Sequence, residues 1–355
     1  MSQSTPTHIP SLDGLRAVAI LIVFASHVGV SHLIPGGFGV TLFFFLSGFL
    51  ITELIQREIA ATGQLNIRAF YLRRVLRLMP PLIVTLAAGY LLVTAGLTTG
   101  TLNPTTFLSQ LLFFYNYHSL HSDLSNNVDG FSVFWSLSIE EHFYLLWPAL
   151  FLVIHHRAKA NTLVAMLLLL ALIWRYFRVL LLNSTEWEIY ISTDTRLDAI
   201  LFGCYLAMLC HTGTAQRLFS EGWRMYIWLG AAIVALLFTF AFRDPMFRAT
   251  LRYTVQGLAL IPLFFYAVHH ADHPLFRPLN HAWVRRVGVW SYSLYLVHFM
   301  IIHALLHNGV MLGSWQMILF SALLALACAA AIHRFVERPL LALRRRLNPV
   351  PAPSS

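Results

Sequence analysis

Charge is scarce in this sequence. Only 11% of its 355 residues are Asp, Glu, Lys or Arg, against about 25% in an ordinary soluble domain, and that excludes water as the main solvent of its surface. Cysteine is scarce too. Cys204, Cys210 and Cys328 are the three present; they lie in apolar stretches without metal-ligand spacing, which argues against a disulfide framework or a zinc site, and no metal is expected. A signal-peptide cleavage motif is also missing. The first fifteen residues are polar, and the apolar run 17–30 passes into Gly and Pro without an A-x-A-like site, so it reads as a retained first helix. There is no internal repeat, long soluble domain or low-complexity linker, and residues 349–355 are expected to be disordered.

What is abundant is apolar side chain: 58% of residues, with mean hydropathy +0.67, 27 Phe and 9 Trp. This composition suits a bilayer core with aromatic belts. Segments near 15–32, 38–56, 78–97, 139–155, 161–182, 196–211, 223–242, 250–269, 289–308 and 314–336 each approach the 17–25 apolar residues that a spanning helix needs. The fold class is therefore an all-α polytopic membrane protein with about ten transmembrane helices in one bundle. A further stretch, 105–118, is too short to cross and reads as re-entrant or interfacial. With the N-terminus cytoplasmic, seventeen of the 24 basic residues fall on inner loops and the tail, whereas Arg243, Arg248 and Arg252 fall on outer loops. The positive-inside rule then puts both termini in the cytoplasm. The net charge of +9 is spread over the inner loops, pointing to phosphorylated ligands or lipid headgroups and not to nucleic acid.

Ionisable groups inside a membrane are costly and usually face a cavity or a partner. Four groups occur here. The first is S-L-D-G-L-R (11–16) with His27 eleven residues beyond Arg16, about 16 Å deeper on the same helix face; Arg16 also reads as a topogenic anchor and His27 as a packing residue. The second is F-Y-L-R-R-V-L-R (70–77), where Arg73, Arg74 and Arg77 could clamp phosphates or simply set topology, ahead of a break at Pro80-Pro81. The third is F-W-S-L-S-I-E-E-H-F-Y (134–144), entering a helix from the outer side. Here Ser138 and Glu141 fit a capping box, while Glu140 beside His142 suits proton transfer or orientation. The fourth comprises T-D-T-R-L-D (193–198), with a second capping-box fit of Thr195 and Asp198 and with Arg196 expected to pair with either Asp; S-Y-S-L-Y-L-V-H (291–298), with Tyr292, Tyr295 and His298 near one face; and F-V-E-R-P (335–339) with Glu337. Arg175 and Arg178, a turn apart, require partners that the sequence does not name.

Together with F-F-F-L-S-G-F-L-I-T (43–52), these motifs resemble the bacterial acyltransferase family 3 membrane proteins, and the likeness runs in family order from about Ser11 to Pro339. The resemblance implies a single bundle of ten helices in a bacterial inner membrane; the spans and loop charges bound it as a domain at 15–338, between a cytoplasmic segment (1–14) and a cytoplasmic basic tail (339–355). It also implies a cytoplasmic acyl-CoA donor, acetyl-CoA by default, and a glycan or lipid-linked saccharide acceptor met on the far face. It ties Arg16 and His27 to donor handling and acyl transfer, Arg73, Arg74 and Arg77 to the same cytoplasmic region, and Glu337 to the family's E-x-P element. Thr41 stands where many members have Asp, and His142 where many have Gln. No esterase-like domain follows the last span, so acceptor delivery is expected not to depend on one.

The function expected is membrane-bound O-acyl transfer. Arg16, Arg73, Arg74 and Arg77 would bind the donor; His27 would act as general base or in an acyl relay, with Glu140 or Glu141 orienting it or the acceptor. Asp13, Ser47, Trp135, Ser136, Asp194, Arg196, Asp198, Tyr292, His298 and Glu337 are further candidates. Arg73, Arg74 and Arg77 belong to an inner mouth, and Trp135, Glu140, Glu141, Asp194 and Asp198 to an outer one. Membrane lipids are the other expected partners. A transporter or flippase of a glycan or acyl intermediate, an acyltransferase of an intracellular small molecule, and a structural subunit of an export complex are the rival readings.

Overall fold

The computed structural model describes residues 10–30, 35–122, 127–219 and 221–347; the 349–355 stretch lies outside them. Helix α1 (Pro10–Ala25) passes into one π turn (Ser26–Val30), followed by α2 (Gly36–Thr62) and α3 (Ile67–Thr94). Two short helices, α4 (Pro104–Leu111) and α5 (Tyr115–His121), precede a 3-10 turn (Phe131–Phe134) and α6 (Trp135–Ile154). Then come α7 (Ala160–Leu180), α8 (Glu186–Ile191), α9 (Thr193–His211), α10 (Thr214–Leu218) and α11 (Trp223–Ala241). The chain ends in α12 (Pro245–Ala249), α13 (Leu251–His269), α14 (Ala282–His307), α15 (Trp315–Ile332) and α16 (Arg338–Arg346). No strand occurs among the described residues. The protein is an all-α polytopic membrane protein.

Nine helices among the described residues are long and apolar enough to cross a membrane. They match nine of the ten expected segments. The tenth, 196–211, is present as the 19-residue helix α9, but Asp194, Arg196 and Asp198 in its first two turns keep it from qualifying by composition. The expected short stretch 105–118 forms α4 and α5, of eight and seven residues, each too short to cross. Several starts lie earlier than expected. Helix α1 begins at Pro10, inside the segment read as an N-terminal arm, and α3 begins at Ile67, ahead of the expected 78–97, and runs to Thr94 without the expected break at Pro80-Pro81. A membrane helix tolerates such prolines when neighbouring helices and side chains supply the missing hydrogen bonds.

Helices α2 and α9 cross at two glycines, and there the backbones touch. A Cβ on Gly48 would lie 1.8 Å from the Ile200 carbonyl oxygen, and one on Gly203 would lie 1.9 Å from that of Phe45. Small residues at such a seam let helices pack closely without a hydrophobic driving force. The charged helix α9 is thereby held in the middle of the bundle, with Arg196 and Asp198 almost fully buried. The π turn after α1 contains Gly29 at φ 106°, a left-handed conformation that glycine adopts without a Cβ clash. It carries His27 out of the regular helical register.

Candidate active site

A cavity of about 480 Å³ enters the bundle between α2, α3, α6 and α14. Arg16, Arg57, Arg73, Arg74, Arg77 and Arg344 line it, together with two carboxylates, Glu58 and Glu140. The expected R-R-x-x-R cluster thus does converge on one site, because positions i, i+1 and i+4 at the start of α3 all turn towards α2 and α6. Arg73 donates to Glu58 and to the Leu347 carbonyl, both at 2.8 Å. Arg74 donates to Glu141 at 3.0 Å and lies over the Tyr144 ring, 3.2 Å from its centre. Arg16 pairs with Asp13 at 3.1 Å. Arg77 has no carboxylate within ion-pair distance among the described residues; its charged neighbours are Arg16, Arg74 and Arg344, with Glu140 further off. Four of the six guanidinium groups are already paired, with Asp13, Glu53, Glu58 and Glu141, which leaves Arg77 and Arg344 as the lining cations without an ion pair among the described residues; their convergence favours an anionic ligand.

Glu140 and Glu141 correct the expected division into a basic inner mouth and an acidic outer one. The cavity reaches deep enough to meet the second turn of α6, where Glu140 accepts from Ser47 at 3.2 Å and Glu141 holds Arg74. Both acids therefore belong with the arginines. The Ser138–Glu141 capping box does not form, because α6 starts at Trp135 and Ser138 is already inside it, 3.4 Å from the Phe134 carbonyl.

The deep end of the cavity is lined by Ser136, Ser291, Tyr292 and Tyr295. Tyr295 donates to the Val133 carbonyl at 2.9 Å and meets Ser136 at 2.7 Å; Tyr292 donates to the Leu78 carbonyl at 2.9 Å. Beside Tyr295, at 5.6 Å between ring centres, lies His298. His298 is fully buried, and its Nε2 stands 2.9 Å from Nδ1 of His27. The sequence places these histidines on separate helices and gives no sign that they meet. Neither Glu140 nor Glu141 contacts His27; its hydrogen-bond partner is His298. On the other side His27 packs on Phe299, 4.2 Å between ring centres.

The T-D-T-R-L-D run does something else. Asp198 pairs with Arg175 at 2.5 Å, both fully buried, and Asp194 pairs with Arg178 at 2.7 Å, so α9 supplies the partners that α7 required. Thr195 donates to the Ile189 carbonyl at 2.7 Å and does not cap the helix. Arg196 pairs with neither Asp. It donates to the Thr41 hydroxyl at 3.1 Å and lies among the Tyr253, Tyr190 and Phe44 rings. Trp135 bridges the same region, with its ring 4.6 Å from Tyr190 and 6.2 Å from Phe44. Glu337 accepts from Ser293 at 2.5 Å and meets His333 at 2.8 Å, tying the end of α15 to α14 away from the cavity lining.

Sequence reasoning missed Glu58, Tyr144 and Arg344 as parts of this site. Glu58 follows Arg57 at the end of α2 without a motif. Tyr144 was legible only as the last letter of the α6 run, and Arg344 as tail charge; α16 folds it back to the mouth.

Fold and site together describe a polytopic membrane bundle holding a deep, arginine-lined cavity with a histidine pair beyond its inner end. Residues 9–334 match the family model of the acyltransferase domain, and the chain belongs to that family, acyltransferase family 3. The match sets aside the transporter and flippase reading. The chain is similar to the O-acetyltransferase OatA of Staphylococcus aureus, 28% identical over 359 residues in strain NCTC 8325 / PS 47 and to the same extent in strain COL. Each alignment covers 95% of this chain and 58% of the relative, so the chain spans less than two thirds of the length of these curated relatives. No solved structure matches it significantly.

Proposed function

We propose that this protein is a membrane-bound O-acyltransferase that moves an acyl group, acetyl by the names of its relatives, from acyl-CoA to a hydroxyl of a glycan or lipid-linked saccharide. The observation that carries this reading is the convergence of six arginines on one cavity whose inner end adjoins the His27–His298 pair. Coenzyme A is rich in phosphate, and bidentate arginine contacts suit phosphate. Arg77, which has no ion pair among the described residues, is the natural first contact, with Arg16, Arg57, Arg73, Arg74 and Arg344 around it. The acyl-pantetheine arm would lie along the apolar wall of Phe43, Phe44 and Leu50 towards Tyr295.

In the chemical step the acceptor oxygen attacks the thioester carbonyl, its proton passes to His27, the carbon–oxygen bond forms and the carbon–sulfur bond breaks. The departing sulfur takes that proton from His27, so CoA leaves as the thiol and the base is regenerated. Ser136 and Tyr295, cavity-lining hydroxyls on the side of His298, are the candidates to stabilise the oxyanion, giving up their present bonds to the Val133 carbonyl. The charge bias of the loops supports cytoplasmic termini and a cytoplasmic opening for the arginine mouth in a bacterial inner membrane.

Reconstitution in sealed vesicles of known orientation tests this reading. Acetyl-CoA supplied only to the face bearing Arg68, Lys159 and the C-terminus should give free CoA on that face and acetylated glycan on the other. Product formed only when donor and acceptor share one side would remove the transmembrane part of the proposal and favour an intracellular small-molecule acceptor. Absence of any CoA release in the presence of a broad glycan mixture would remove the donor.

A further inference from the structure

A second cavity, of about 550 Å³, opens at the opposite end of α2. Pro35, Gly37 and Phe38 line it at the start of that helix, whereas the first cavity is lined further along, from Val40 to Glu58. The loop-charge argument left three basic residues on the side away from the arginine mouth, Arg243, Arg248 and Arg252. All three line this cavity. Topogenic bias gives no reason for cations there, so their convergence calls for a ligand.

The charge is not neutralised locally. Glu186 is the carboxylate of the lining; it lies 2.8 Å from Arg248 and 3.4 Å from Arg252. Arg243 is exposed and has no ion-pair partner among the described residues. Behind the Tyr190 and Tyr253 wall lies Arg196, whose side chain is fully buried. Its guanidinium sits 4.0 Å from the Tyr253 ring centre and 5.2 Å from that of Tyr190, and its hydrogen bond goes to the neutral hydroxyl of Thr41. Its Nε and Nη1 have no partner among the described residues. Three guanidinium groups against one carboxylate line the recess, and Arg196 behind its wall, with Asp198 nearby, adds to a net positive field.

The walls also have a shape. Trp187, 48% exposed, and Tyr190 stand 5.8 Å apart between ring centres and offer flat faces of the kind on which sugar rings pack. Burial pushes the Tyr190 phenol up to about 12, so it remains a neutral hydroxyl donor. The rim of the recess approaches the histidine pair: Gly36, between the lining residues Pro35 and Gly37, backs onto Ser26 so closely that a Cβ there would lie 2.0 Å from the serine oxygen, and Ser26 precedes His27.

We infer that this recess binds the acidic group, carboxylate or phosphate, of the saccharide acceptor, so that the acceptor is an anionic glycan. The word acceptor rests on the acyl-transfer reading, but the binding itself needs neither donor nor turnover.

The test uses the full chain in nanodiscs of phosphatidylcholine, without acyl donor, titrated calorimetrically with tetragalacturonate and with a phosphorylated mannose oligosaccharide. Each is paired with its neutral counterpart, carboxyl-reduced or dephosphorylated. One acidic probe should bind, with its neutral counterpart roughly tenfold weaker or more, as expected for loss of a charge-assisted contact; which probe binds tells carboxylate from phosphate. Arg243→Gln removes an exposed side chain that holds no partner, so the fold should persist, and it should weaken the acidic probe by about tenfold. Thr41→Asp, which brings a carboxylate to Arg196, should weaken it several-fold. Acetyl-CoA titrated into the same Arg243→Gln preparation should bind as in the wild type; if acetyl-CoA binds neither protein, the donor assignment fails while the anion site stands. Equal binding of acidic and neutral oligosaccharides, or no response to Arg243→Gln, would overturn the inference. Arg243-dependent binding of dioctanoyl phosphatidylglycerol that neither acidic saccharide displaces would also overturn it, making the recess a lipid-headgroup site.

Discussion

His27 and His298, 271 residues apart in the chain, meet nitrogen to nitrogen at 2.9 Å. A contact of that length requires one nitrogen to be an acceptor. His298 settles which one: its Nδ1 lies 2.8 Å from the Tyr295 carbonyl oxygen, which only accepts, so the Nδ1 proton points there and Nε2 keeps its lone pair. His27 therefore donates through Nδ1 and is left with Nε2 unprotonated and turned away from His298. The tautomer follows from the hydrogen-bond geometry, and it is the one a general base needs.

If His27 is the base of the proposed reaction, His298 is its positioning residue. His27→Ala should lower turnover by about 10²–10⁴-fold, the usual worth of a general base, with the protein still monodisperse in detergent. His298→Leu should lower turnover by about 10–100-fold, as loss of an orienting partner does, with little change in KM for the donor. His298→Gln, whose amide oxygen can accept the same bond, should retain more activity than His298→Leu. Equal losses in the two His298 variants would mean that packing, and not tautomer control, is its role.

Arg74 and Arg77 are neighbours in the motif but should behave differently. Arg77→Ala removes a guanidinium without an acidic partner among the described residues and should raise the Kd for acetyl-CoA by about 10–100-fold, the equivalent of a charge-assisted hydrogen bond of about 1.5–3 kcal/mol, with little loss of thermal stability. Arg74→Ala leaves Glu141 and the Tyr144 ring without their cation, so it should lower Tm as well as affinity. Calorimetric titration beside a thermal melt separates the two patterns.

The Arg175–Asp198 pair is structural. With both side chains fully buried, removing one partner strands a charge and should cost about 3–5 kcal/mol. Asp198→Asn or Arg175→Leu should therefore show markedly reduced folded yield and Tm in detergent. The double apolar replacement Arg175→Met with Asp198→Leu should recover part of that loss. A double variant no better than the worse single one would argue that Asp198 also acts elsewhere.

The spans were legible because hydropathy is local and the bilayer demands long apolar runs. The arginine cluster was legible for the same reason: Arg73, Arg74 and Arg77 are close in sequence. Pairings across the bundle were not. Arg74 finds Glu141, 67 residues away, and nothing in the E-E-H run shows that the cavity extends as far as the second turn of α6. The two capping-box patterns, at Ser138 and Thr195, misled because a serine or threonine three residues before an acid is equally common inside a helix whose start lies one turn earlier. Arg196 misled in another way. Two aspartates flank it in sequence, but both are taken by α7, and its own neighbours are rings and a threonine contributed from α2, α8 and α13.

Those pairings bear on how the chain enters the bilayer. A charged residue adds about 2.5–3.5 kcal/mol to the cost of membrane insertion at the centre of a helix and less towards an end, and α9 carries three within its first two turns. Taken alone, α9 is a poor substrate for the insertion machinery. Helix α7 presents Arg175 and Arg178 to Asp198 and Asp194, so two of the three charges disappear when the helices enter together. Entry of α9 is therefore expected to depend on α7 still lying beside it, and the linker of residues 181–192, through α8, keeps the two within reach.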